Sequence, residues 1–328
     1  MRSRHPIREA VRSTIALMLG AAMTALPASA ATRLTVGKSI TTSDPEMAVD
    51  VGEAAGIFKK HGLDLNIVNF AGGSKMTQAL VAGSIDIADG AGTEMALVNK
   101  GAPMLAVCVS SSTFPFVAIG VPWDSPITSL KQLEGKKIGI TSAGSLTDWL
   151  AHDLARKNGW GNDGVITVAI GGGADSIIAG LTQHLVDASI ANTSLFLKLQ
   201  EEKKGRLLAP ITDFEGPAAS GMIFAANSLI AKEPDALRAF LAGWIESVDY
   251  ILTHKAETVK IESTVTGFSE SVMAQAYDID MKGHLFVKDC RFDSESLATL
   301  KRSLVDLNNI PASTDMSKLY TEAYLPKH

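Results

Sequence analysis

The chain has 328 residues, a formal charge of −5 at pH 7 and 46% hydrophobic residues. That length allows two domains with cores of their own, and the acidic balance gives no sign of a nucleic-acid partner. Neither of its two cysteines, Cys108 and Cys290, stands at metal-ligand spacing.

The first thirty residues read as a targeting segment. Arg2, Arg4, Arg8 and Arg12 make a basic start, residues 15–26 are apolar, and Ala28-Ser29-Ala30 is a small-residue cleavage site. The apolar run is too short for a comfortable membrane span. There is no arginine pair for a twin-arginine signal and no cysteine at the cleavage point for a lipid anchor. Loss of four arginines and one glutamate takes the formal charge from −5 to −8, as suits a soluble exported protein that is not membrane-embedded. An exported compartment permits a disulfide. Cys108, inside the apolar run 104–109, nevertheless reads as a buried free thiol, and Cys290 lies in a polar stretch.

Residues 34–37 form the first predicted strand, followed by a polar loop containing Thr41 and Thr42. One helix is expected from about residue 46 to residue 60. Residues 63–70 are a β-prone run bounded by glycines. Gly72-Gly73-Ser74 then opens a helix in which Met76, Leu80 and Val81 recur at helical spacing, and Gly83 ends it. A strand from Ile85 runs to Gly90. Gly92-Thr93-Glu94 opens the next helix, and residues 104–109 form another strand.

Residues 116–121 lead away as a strand, and residues 136–141 form the next. Ser142-Ala143-Gly144-Ser145 starts a helix that runs to about residue 158. A second strand, glycine turn, helix and strand occupy residues 165–189, and Asn192 and Thr193 cap the helix after them. Residues 206–211 and 222–226 are strand-like. From Pro234 onward the pattern is helical, with Leu237, Phe240, Leu241, Trp244, Ile245 and Val248 on one face. Further helices are expected near residues 269–277 and 294–307.

Two glycine turns carry the functional argument. Ser74 is a good helix N-cap, and the first N–H groups of a helix can hold an anionic or polar group. Alone, G-G-S is equally a tight turn. A shift of 101 residues, however, superposes Gly72 on Gly173, Leu80 on Leu181, Ile85 on Val186 and Asp86 on Asp187. This pseudo-repeat implies two like lobes with a cleft between them.

Four runs carry a family resemblance. They are EAAGIFKKHGLDL at residues 53–65, ALVAGSIDI at 79–87, PWDSPITSLKQLEGKKIGI at 122–140 and EPDALRAFL at 233–241. In order and spacing they resemble the substrate-binding proteins of ABC importers of the NMT1/THI5-like group, which serve sulfonates, nitrate, taurine and thiamine precursors. The resemblance implies an α/β, type II periplasmic-binding-protein-like fold of two doubly wound lobes with an inter-lobe cleft and C-terminal helices. Residues 31–116 plus 221–328 would form one lobe and residues 117–220 the other, with crossings near 116–121 and 221–226. It further implies a periplasmic monomer that passes a small-molecule ligand to an ABC permease and ATPase complex. A binding component of a sensor system remains open. One departure is visible: where the family usually has glycine before V-D-A, this chain has His184. It falls at the end of a helix away from the cleft and reads as structural.

Ligands of open α/β sheets lie beyond the carboxyl ends of the strands. That places Thr41, Thr42, Gly72, Gly73, Ser74, Gly92, Thr93, Ser142, Gly144, Ser145, Gly173 and Asn192 at the expected site. These residues are small and polar, which suits a small organic anion such as a sulfonate or carboxylate. Glu94 and Asp175 read as first-turn acids of their own helices. Pointing inward, either would suit a cationic or pyrimidine-like ligand instead. Trp149 and Phe114 offer an aromatic wall, although core packing is their commoner role. A fungal member of the group makes the thiamine pyrimidine with a cysteine-rich metal motif, which this chain lacks. No G-x-S-x-G, H-E-x-x-H or Cys-x-x-Cys occurs, so neither catalysis, cofactor nor metal is expected.

Overall fold

The computed structural model describes residues 31–161 and 163–327, so the expected targeting segment lies outside the described residues. The chain begins with β1 (Thr32–Lys38), α1 (Met47–Ala54), α2 (Ile57–Lys60), β2 (Leu63–Asn69), α3 (Gly73–Val81), β3 (Ile87–Ala91), α4 (Met95–Asn99) and β4 (Met104–Ser111). It then lays down β5 (Val117–Pro122), β6 (Lys137–Ile140), α5 (Leu146–Lys157), β7 (Ile166–Ala169), α6 (Ala174–Thr182), β8 (Ala188–Asn192), α7 (Thr193–Glu201) and β9 (Gly205–Pro210). It returns as β10 (Gly221–Ala226) and closes with α8 (Asn227–Lys232), α9 (Pro234–Thr253), α10 (Lys255–Thr266), α11 (Glu270–Lys282) and α12 (Ser294–Asp306).

These strands build two five-stranded sheets, ordered β2-β1-β3-β10-β4 and β7-β6-β8-β5-β9. In each, the first three strands are parallel and joined through helices. The fourth strand is antiparallel to both neighbours. That fourth strand is the one arriving from the other half: β10 in the first sheet, β5 in the second. β5, β8 and β10 are buried along their whole length, which is why their sequences read as near-continuous apolar runs. The chain crosses in residues 112–116 and 211–220, just before the two strands in which the sequence placed the crossings.

The pseudo-repeat extends to individual hydrogen bonds. An Asp86 carboxylate oxygen accepts the Thr35 N–H at 2.8 Å, and Asp187 accepts the Lys137 N–H at 2.9 Å. At the ends of α3 and α6, Ser84 and Leu185 donate their N–H groups to Ala79 and Gly180, each at 2.9 Å. Between them stand Gly83 at φ 71° and His184 at φ 53°. His184 thus takes the left-handed conformation that glycine adopts without strain. Its ring is exposed, 3.8 Å from Asp124.

Three expectations change. The helix expected over residues 46–60 breaks at Gly56, whose φ is 71°. The break turns Phe58 inward, where its ring stacks on Phe240 of α9 with centroids 5.3 Å apart. α10 has no predicted counterpart, because it buries only Thr258, Val259 and Glu262 and so shows no apolar stripe.

The larger correction is the disulfide. Cys108 is not a free thiol but is bonded to Cys290, and both are fully buried. The polar neighbours of Cys290 point outward while the residue itself, at φ 62°, turns in, and its carbonyl accepts the Val109 N–H at 3.0 Å. The bond ties β4 to the segment between α11 and α12. Further on, Tyr320 bridges to Ala106, so the end of the chain covers the outer edge of β4. Thiol titration of the unreduced, denatured protein should find no free thiol, and two after reduction. Replacing both cysteines by alanine should lower stability by about 2–5 kcal/mol in a denaturant melt.

Candidate functional site

A cavity of about 610 Å³ lies between the two sheets, within the range of small-molecule sites. One wall is the loop after β1, the start of α3 and the end of β3. The other is the loop after β6, the Gly171–Gly172 turn after β7, and the end of β8. Phe116 and Ser220 enter from the crossing segments, Gly221 from the start of β10, and Asn309 from the turn after α12. All these wall loops follow the carboxyl ends of parallel strands, where such folds leave their crevice.

Of the expected residues, Thr42, Gly72, Gly73, Ser74, Thr93, Ser142, Gly144, Ser145 and Asn192 line this cavity. Thr41, Gly92 and Gly173 are off the lining. A Cβ at Gly92 would meet the Ala219 carbonyl and the Leu300 side chain, so this glycine serves packing. In the triple-glycine turn it is Gly171 and Gly172 that line the cavity, two and three residues beyond the end of β7 at Ala169. Trp149 and Phe114 are core residues, each 1% exposed. Sequence reasoning missed Ser39, Glu46, Thr147 and Asn309. Ser39 follows the end of β1 directly, a position that could have flagged it, whereas Glu46 ends a 3-10 turn just before α1. Asn309 lies far along the chain and had no such signal.

The two helix starts differ. Ser145 caps α5 by accepting the Asp148 N–H at 3.4 Å, and Asp148 accepts the Gly144 N–H at 2.8 Å. The hydroxyls of Thr141, Ser145 and Thr147 also bond one another at 2.9–3.0 Å. α3 has no side-chain cap, so its first-turn N–H groups remain for something in the cavity. Gly72, its N-cap, sits at φ 130°, which only glycine adopts without strain. The walls already touch. Asn192 Nδ2 donates to the Thr42 carbonyl, and the Ser194 hydroxyl donates to Asp44 at 3.4 Å.

The charge at the site is acidic. Glu94 and Glu46 line the cavity and are 9% and 1% exposed. Burial pushes Glu94 up to about 7, against the pull of nearby N–H groups and the Thr93 hydroxyl. Burial likewise pushes Glu46 up to about 8, although Lys38 and the Ser39 hydroxyl and N–H act the other way. Asp175, by contrast, is exposed and off the lining. Beneath the lining lies a buried set of Asp44, Asp50, Asp89, Glu262 and Asp280 with the single cation Lys38, which pairs with Asp50. Burial lowers the Lys38 pKa, but the carboxylates around it outweigh that and hold it raised. Both Asp89 oxygens are without hydrogen-bond partners, and burial holds this acid well above its usual range. Among the described residues no group of three or more His, Cys, Asp or Glu side chains has metal-binding geometry.

Comparison with known proteins gives a consistent picture. The family model described as NMT1/THI5 like matches residues 47–258. A binding protein of Brucella abortus (strain 2308) is 26% identical over 217 residues, 64% of this chain. The chain spans 65% of the length of that relative. The aliphatic sulphonate binding protein SsuA of Escherichia coli superposes with a TM-score of 0.70 at 18% identity, over 88% of this chain and 92% of its own. The nitrate-binding protein NrtA of Synechocystis PCC 6803 gives 0.69 at 16% identity, over 89% and 87%. At these identities the likeness establishes the fold: two α/β lobes of the periplasmic-binding type.

The buried acids set a pH dependence. Asp44 and Glu94 have folded pKa values near 7 and Glu46 near 8, all above the unfolded value. Below about pH 4 they are protonated in both states and stability is full. From about pH 4 up to about 7 to 8 the unfolded chain has released these protons while the folded chain still holds them, so stability is lost across that window and levels off above it. The melting temperature should therefore fall by roughly 5 °C or more between about pH 5 and about pH 8.5. Glu46→Gln should flatten that slope.

Proposed function

The chain belongs to the NMT1/THI5-like family, and on that premise we propose that it is an extracytoplasmic solute-binding protein. It captures a small polar organic molecule between its two sheets and delivers it to an ABC importer. The observation that carries this reading is the 610 Å³ cavity with an uncapped helix start on one wall and hydroxyls on both. A ligand touching both walls binds the closed form better than the open one, so capture and closure are linked. The Asn192–Thr42 and Ser194–Asp44 contacts would form only when the walls meet. An importer can then distinguish loaded from empty protein by shape.

Export rests on two supports. One is the basic, apolar and A-x-A pattern of the first thirty residues. The other is the buried disulfide, a bond of oxidising compartments. Among the described residues no helix is long and apolar enough to cross a membrane. N-terminal sequencing of protein from the host's extracytoplasmic fraction should begin at or within a residue or two of Ala31. Full-length protein held in the membrane would contradict this.

The binding claim is tested on the same material. Native mass spectrometry should show a stoichiometric small molecule on the wild type. Ser74→Trp and Ser142→Trp place a ring in the cavity from opposite walls, at positions that are not core. Both variants should fold and lose that extra mass. Retention by both would remove this cavity from consideration.

A further inference from the structure

We infer that Glu94 selects the ligand by accepting a hydrogen bond from a nitrogen donor next to the acceptor that the start of α3 holds. The inference rests on the binding reading above and adds the chemistry of the group recognised.

The argument begins with two glycines. The Glu94 carboxyl lies between Gly73, at the start of α3, and Gly90, in β3. A Cβ at Gly73 would collide with Glu94 Oε1, and one at Gly90 would meet Met76 Cε at 2.6 Å and then Oε1 at 3.2 Å. Two elements thus give up their side chains where this carboxyl sits. Gly73 therefore does more than allow a tight turn: it makes room for an acid. The acid is 9% exposed and lines the cavity.

The carboxyl is poorly satisfied. The one hydroxyl bonded to it is that of Thr93, reaching Oε2 at a long 3.3 Å. Among the described residues no Lys, Arg or His forms an ion pair with it, and the two lysines of the lining, Lys75 and Lys100, are exposed. An ionised carboxylate offers about four acceptor sites. The Thr93 hydroxyl and the N–H groups of the acid's own turn leave acceptor sites over, and burying those is costly, which is why burial pushes this acid up. A donor from the ligand would remove that penalty.

The neighbouring group supplies the complement. The uncapped N–H groups of α3 ask for an acceptor beside the carboxyl that asks for a donor. The matching edge is an acceptor and an N–H attached to one carbon, as in an amide; an amidinium, all donor, would satisfy the carboxyl but not the helix start. A simple carboxylate or sulfonate would satisfy the helix start, but its remaining oxygens would face Glu94. Like charges held together in a desolvated site are strongly unfavourable, so Glu94 acts by exclusion as much as by attraction.

Three planar isosteres separate these possibilities: benzoate, benzamide and benzamidine. Each is titrated into the wild type and Glu94→Gln by calorimetry at about pH 8, where Glu94 is ionised. Benzamide should bind the wild type about tenfold or more tighter than benzoate, and benzamidine no tighter than benzamide. Glu94→Gln keeps the shape and removes the charge. It should weaken benzamide, strengthen benzoate and reverse their order, with an unchanged circular-dichroism spectrum. Benzoate or benzamidine binding the wild type more tightly than benzamide overturns the inference, as does an order unchanged in Glu94→Gln or no binding by any of the three. If benzoate binds best and Ser142→Trp abolishes it, the cavity remains the binding site and only the role of Glu94 falls.

Discussion

Each sheet is completed by a strand from the other half of the chain. β10 stands between β3 and β4 and bonds both, and β5 stands between β8 and β9. Without β10, β4 would lose its place in the sheet. The chain must therefore cross twice between the halves, and the crossing segments bound the cavity. Phe116 and Ser220 line it for this reason alone. A continuous apolar cluster runs beside the crossings, through Cys108, Phe114 and Phe116 into β5.

Much of this architecture was legible because it rests on local signals. Strands buried on both faces are apolar runs, and helices that pack on them show a stripe. The repeat was legible because Asp86 and Asp187 do the same work, each closing the first bond of a parallel strand pair. What escaped was set by partners distant in sequence. Gly56 breaks a helix so that Phe58 can reach α9, more than 180 residues on. α10 hides its helical character because it faces polar groups. Cys290 looked exposed because its neighbours are.

The site shows the same division. Hydroxyl and glycine loops at strand ends were readable, and nine of the twelve chosen residues do line the cavity. Their small size and scarcity of charge suggested an anion. The acids that contradict this impression do not come from loop tips. Glu46 precedes α1, and Glu94 ends a short 3-10 turn after β3. In sequence, each is indistinguishable from an acid placed to complement a helix dipole. Glu94 still feels the N–H groups of its own turn, so the ordinary reading holds in part. Only the bare backbone of Gly73 and Gly90 reveals where its carboxyl goes.

The covalent and β-bridge ties at β4 set an order of assembly. β5 through β9 lie within residues 117–210, so the second sheet can form from one continuous stretch. The first sheet cannot. β4 waits for β10, then for Cys290, and its outer edge stays bare until Tyr320 arrives. Contacts of such long sequence separation form slowly. A chain emerging from its amino end would hold an unfinished first sheet until β10, Cys290 and Tyr320 were available, long after the second sheet had all its strands.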